Sequence, residues 1–111
     1  MEVLPVRIEE YELPGGRKPF ADWLDGLEDR KARAIVDNRL LRLQAGNFGD
    51  YKFIESIFEL RIDYGPGYRI YCGKKNDTFV LLLAGGSKKT QVADIEAAKY
   101  FWSEYKKRSS R

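Results

Sequence analysis

The chain has 111 residues, 43% hydrophobic and 33% charged, enough for one domain with a real core and too apolar for a disordered tail. One cysteine and no histidine exclude an internal disulfide, a Ser-His-Asp triad, a Cys-His pair and every histidine-ligated metal centre. The formal net charge is +3, yet residues 1–30 carry 4 basic and 8 acidic side chains whereas residues 31–111 carry 16 and 9. A basic C-terminal part attracts an anionic partner, nucleic acid or an acidic protein segment; an ordinary solvated surface is the competing reading.

No apolar run approaches the roughly 20 residues of a membrane span. The start Met-Glu-Val-Leu-Pro lacks a cationic n-region and an apolar stretch, so no secretory signal is expected. With Cys72 as a lone thiol, the expected compartment is the reducing cytoplasm.

Val6 to Glu9 alternates apolar and polar residues and predicts a first strand. Leu13-Pro14-Gly15-Gly16 ends it. Pro19 suits a first helical turn, and Phe20, Trp23, Leu24 and Leu27 follow on one apolar face. A second helix is predicted from about Asp29 to Ala45, with Ala32, Ile35, Val36, Leu40 and Leu43 inward and Gly46 as its stop. The two helices read as an αα-hairpin.

Phe58, Leu60 and Ile62 then alternate with Glu59, Arg61 and Asp63, a half-buried strand. Gly65-Pro66-Gly67 forces a turn. A strand follows from Tyr68 to Gly73, then an Asn76-Asp77 turn. Thr78 to Ala84 is apolar on both faces and predicts a central strand covered on both sides. Gly85 to Lys89 reads as a loop. A last helix starts near Thr90 or Gln91, with Val92, Ile95, Ala98, Trp102 and Tyr105 on one side. The expectation is a single α+β domain over residues 1–111, in the order β-α-α-β-β-β-α, with a mainly antiparallel sheet.

Period two sorts the strand side chains by face. Phe58, Leu60, Ile62, Ile70 and Cys72 point to the core. Arg61, Arg69 and Tyr71 share the other face, expected to be open, and Lys88-Lys89 leaves the end of the next strand. The bland alternative is that Glu59 and Asp63 pair with Arg61 and Arg69 on a wet surface. Gly85-Gly86-Ser87-Lys88-Lys89-Thr90 opens a helix but lacks the first glycine of a P-loop, which argues against a nucleoside-triphosphate site. Cys72 reads as a small buried hydrophobe.

The stretches Glu59-Leu60-Arg61-Ile62-Asp63-Tyr64-Gly65-Pro66-Gly67-Tyr68-Arg69-Ile70-Tyr71 and Leu81-Leu82-Leu83-Ala84-Gly85-Gly86-Ser87-Lys88-Lys89-Thr90-Gln91, with Asp94-Ile95, closely resemble the addiction module killer proteins. These are phage Gp49-like or HigB-like members of the RelE/ParE toxin superfamily. The resemblance covers essentially the whole chain. It implies a toxin of a bacterial type II toxin–antitoxin system, silenced by a small cognate antitoxin, expected to be a helix-turn-helix protein. RelE-like members cut messenger RNA on the ribosome without a metal. ParE-like members share the fold, poison DNA gyrase and cut nothing. A sheet face on which Glu59 and Asp63 neutralise Arg61 and Arg69 would favour the gyrase reading; an inactive antitoxin-binding relative is a third.

By the same resemblance Arg69 matches the strand arginine of the ribonucleases, Lys88 and Lys89 the loop cations, and Arg61 the Glu-Leu-Arg motif. Tyr100 and Tyr105 are candidates for a C-terminal catalytic residue. Tyr71, Tyr68 and Lys74 are the expected substrate-binding residues. No metal or other cofactor is expected. RNA carries its own nucleophile, the 2′-OH. Arg69 and Arg61 suit a phosphate through forked, charge-assisted hydrogen bonds. A lysine crowded by like charges has a lowered pKa and suits proton transfer, and Tyr71 suits stacking on a base.

Overall fold

The computed structural model describes residues 4–110; residues 1–3, part of the segment read above for a targeting signal, and Arg111 lie outside them. The elements are β1 (Arg7–Glu10), α1 (Pro19–Asp25), α2 (Arg30–Gln44), β2 (Tyr51–Ile54), β3 (Ile57–Ile62), β4 (Tyr68–Asn76), β5 (Phe79–Ser87), a 3-10 turn (Lys88–Thr90) and α3 (Gln91–Ser109). They form an α+β domain around one five-stranded mixed sheet with strand order β1-β5-β4-β3-β2. β1 pairs with β5 in parallel, and the other three pairings are antiparallel. Among the described residues no helix is long and apolar enough to cross a membrane.

Local chemistry accounts for the helix starts. Pro19 opens α1. The Asp29 carboxylate caps α2, accepting from the Lys31 and Ala32 amides, and this holds it below the usual carboxylate range.

The sheet has a core on each face. Phe58, Leu60, Ile62, Ile70, Cys72, Val80 and Leu82 pack against Phe20 of α1 and Val36 and Leu43 of α2. Ile57, Tyr71, Leu81 and Leu83 pack with Tyr11 and with Ala98 and Trp102 of α3. β5 lies between β1 and β4, covered on both sides as its unbroken apolar run predicts.

Three expectations are corrected. There are four strands after α2 and not three: β2, a four-residue edge strand, precedes the predicted β3. β4 runs on to Asn76. Gly85 and Gly86 are not loop but the last part of β5. A side chain on Gly85 would strike the Trp23 indole and one on Gly86 the Asp94 carboxylate, at 2.1 and 1.8 Å. The bare strand is what lets α1 and α3 close on the sheet here.

Candidate functional site

The β3–β4 hairpin places Arg61 and Arg69 directly opposite each other. Like charges in that position repel, so each needs a counter-charge. Arg61 pairs with Asp50 at 3.3 Å and Arg69 approaches Glu59 at 3.8 Å. Both arginines line a cleft of about 430 Å³ with Asp50, Asp63, Lys88 and the turn Gly65-Pro66-Gly67. Gly67, at φ 79°, uses a conformation open chiefly to glycine, and its carbonyl accepts from the Lys88 amide at 2.8 Å. That bond ties the 3-10 turn to the hairpin and brings Lys88 to the cleft.

The face below the cleft is closed. α3 covers it, so Glu59 and Tyr71 are buried at 1% and 0% exposure. Gln91, the first residue of α3, donates to the Glu59 carboxylate at 2.7 Å. Thr90 donates to Asp94 at 2.5 Å. Among the described residues the Tyr71 hydroxyl and the Nε atoms of Arg61 and Arg69 have no hydrogen-bond partner. Burial pushes the Tyr71 phenol up, and the Glu59 and Asp94 charges add to it.

Loop 45–50 is set from below by Arg39. This buried guanidinium donates to the carbonyls of Phe48 and Asp50, and burial lowers its pKa. Its grip fixes the backbone of Asp50, whose side chain reaches Arg61.

The predicted site residues therefore divide. Arg61, Arg69 and Lys88 meet in the cleft. Lys89 is exposed and does not line it. Tyr71 shares the face of Arg69 as period two requires, but the face is not open there; stacking on a base is closed to it while α3 is docked. Tyr68 lies on the opposite face, stacked on Tyr64 and edge-on to Trp23, and so does not reach the cleft. Lys74 lies at the other end of β4, with its ammonium 2.9 Å from Asp77 and 5.4 Å from the Phe48 ring centre. Tyr105 stacks on Trp102 near the end of α3; Tyr100 is exposed on the same helix, and neither lines the cleft. Sequence reasoning missed Asp50, because nothing local marks a loop aspartate as the partner of a residue on another strand. It quoted Gln91 and Asp94 for the resemblance but assigned them no role.

Chemically, the cleft offers two guanidiniums and one ammonium, a donor set for an oxyanion such as phosphate. Asp50, Asp63 and the underlying Glu59 offset much of that charge. Among the described residues no group of three His, Cys, Asp or Glu is placed to hold a metal ion.

The chain is 49% identical to an uncharacterized protein of Haemophilus influenzae over 86 residues, which is 77% of this chain and 87% of that protein. No protein-family model matches the chain.

Proposed function

We propose, for a chain that belongs to the same family as the uncharacterized Haemophilus influenzae protein, that it is a HigB-like toxin of the RelE/ParE superfamily that cleaves messenger RNA. Its antitoxin is a small helix-turn-helix protein. The observation that carries the reading is the convergence of Arg61, Arg69 and Lys88 on one solvent-open cleft. As the 2′-oxygen attacks phosphorus its proton passes to water, the P–O5′ bond breaks to leave a 2′,3′-cyclic phosphate, and the departing 5′-oxygen takes a proton from water. Charge develops on the non-bridging oxygens, and fixed cations aimed at them lower the barrier. Arg69 and Arg61 hold the phosphate. Lys88, which makes no ion pair among the described residues, is the group free to stabilise the leaving 5′-oxygen.

A second reading, a ParE-like gyrase inhibitor, is favoured by one observation. Arg61 and Arg69 already have carboxylate neighbours, Asp50 and Glu59, as suits a binding surface with no ligand charge to neutralise. Asp63 pairs with neither arginine among the described residues.

Cleavage of ribosome-bound message, with and without a transition-metal chelator and with magnesium kept sufficient for the ribosome, tests the first reading. Cutting that persists in chelator is expected. An absolute requirement for a transition metal contradicts the arginine mechanism. Uncut message together with inhibited gyrase supports the second reading.

A further inference from the structure

The cleft is not the molecule's most cationic concavity. At the other end of α3 lies a pocket of about 490 Å³ lined by Ser56, Lys74, Lys75, Trp102, Tyr105, Lys106 and Ser109. It contains no carboxylate, whereas Asp50 and Asp63 line the Arg69 cleft. The Lys74 ammonium is tied to Asp77. Lys75 and Lys106 are exposed and make no ion pair among the described residues. They lie 6.0 Å from the Phe79 ring centre and 5.3 Å from that of Trp102.

The pocket is built and not incidental. A side chain on Gly73 would come within 2.3 Å of the Trp102 ring, so the bare strand lets the indole lie flat on β4. Tyr105 then stacks on Trp102 at 5.7 Å with the planes 8° apart. The half-buried Tyr105 ring, backed by the buried Trp102, is the aromatic surface this pocket presents, beside Lys75, Lys106, Ser56 and Ser109. Ring and cations together suit a ligand with both a ring face and a phosphate.

We propose that this pocket is a second contact site for single-stranded RNA, holding a nucleotide distant from the phosphate in the Arg69 cleft. The proposal rests on the RNA reading above. β4 carries Arg69 at one site and Lys75 at the other, which at ~3.3 Å per residue separates the two sites by about 20 Å. That separation is the reach of a short single strand, at the lower end of the roughly 4–16 nucleotides that single-strand-binding surfaces contact. The carboxylates of Glu55 and Glu96 flank Lys99 between the sites, so the strand touches the protein at its two ends and bows away from the middle of the helix.

The test uses the full chain and an oligoribonucleotide of twelve residues, fully 2′-O-methylated so that 2′-OH attack is blocked, with a trinucleotide of the same chemistry as the short probe. The variants are the double substitution Lys75→Gln/Lys106→Gln and, for the cleft, Arg61→Gln. Both lysines are exposed, so melting should be unchanged. The double variant should bind the long probe about tenfold more weakly at low salt and flatten its log–log salt slope by about 1.4, two phosphates at 0.7 each. It should bind the short probe like the wild type, while Arg61→Gln weakens both. A double variant that keeps wild-type affinity and slope for the long probe, while Arg61→Gln weakens it, overturns the second site and leaves the RNA reading standing. Equal loss of both probes in the double variant also overturns it, because the pocket then belongs to a single-nucleotide site. If the wild type binds neither probe, the RNA reading fails and takes this proposal with it.

Discussion

Arg61 and Arg69 face each other across β3 and β4, and each is held by a carboxylate from a different place. Asp50 comes from the loop before β2, and Glu59 from β3 itself. The arrangement keeps two guanidiniums side by side at the mouth of a cleft without a fold-breaking repulsion. An incoming phosphate would take over the carboxylates' role.

Arg69 is therefore more structural than a surface arginine. Its side chain is 13% exposed and that of Glu59 is 2%. Removing it leaves a buried carboxylate with Gln91 as its remaining donor among the described residues. Arg69→Ala should lower activity by roughly two to three decades, the scale for losing one transition-state donor, and should also lower the melting temperature. Arg69→Lys should restore part of the activity, because the charge returns without the fork. In a double-mutant cycle with Glu59→Gln, the coupling in stability should be roughly 1–3 kcal/mol. Additive effects would show that the pair does not interact.

Gly86→Ala should destabilise by roughly 1–3 kcal/mol. Its Cβ would overlap Asp94, the residue that Thr90 holds at the start of α3. Gly15→Ala, with nothing within 4 Å, is the control. Chemical denaturation should separate the two, and Asp94→Ala should recover part of the Gly86→Ala loss. A Gly86→Ala protein as stable as the wild type would mean that α3 does not seat on β5 as described.

Much of this architecture was legible in the residues, and what was missed has physical reasons. Alternation put Leu60 and Ile70 in the core and Arg61 and Arg69 opposite them, as found. Period two assigns a side chain to a face but does not say what covers it, so the burial of Glu59 and Tyr71 under α3 was not visible. β2 escaped notice because Tyr51-Lys52-Phe53-Ile54 is too short to show a period and sits at an edge with Tyr51 and Phe53 exposed. Gly85-Gly86 reads as loop because paired glycines usually break structure. Here they are strand, and the absent side chains make room for Trp23 and Asp94.

Alkaline unfolding should be led by two phenols. Tyr11 and Tyr71 are fully buried. Burial raises both pKa values, helped by the Glu104 hydrogen bond at Tyr11 and the Glu59 charge at Tyr71. A group whose pKa is higher in the folded state stabilises fully below its unfolded pKa, about 10, and loses that contribution as pH climbs through the folded value. Stability should therefore fall as pH rises above about 10. Ultraviolet titration should show these two of the seven tyrosines ionising only as the chain unfolds. Seven tyrosines titrating together with the fold intact would contradict their burial.

Cys72 should be inert in the native protein. It is fully buried and burial pushes its thiol up, so it lacks both access and thiolate. An aromatic disulfide reagent should label it only at the rate of unfolding, and labelling should become immediate in denaturant. Prompt native labelling would place Cys72 outside the core.

RNA cleavage in the Arg61–Arg69–Lys88 cleft is the proposal on which the functional reading stands or falls. It is tested most directly by inducing the protein in a growing bacterium and mapping messenger-RNA 5′ ends across the transcriptome, beside a folded Arg69→Lys variant. Cleavage in the cleft predicts growth arrest with many new internal 5′ ends for the wild type, and far fewer for the variant at equal protein level. Growth arrest with intact transcripts, or the same internal ends from both proteins, would contradict it.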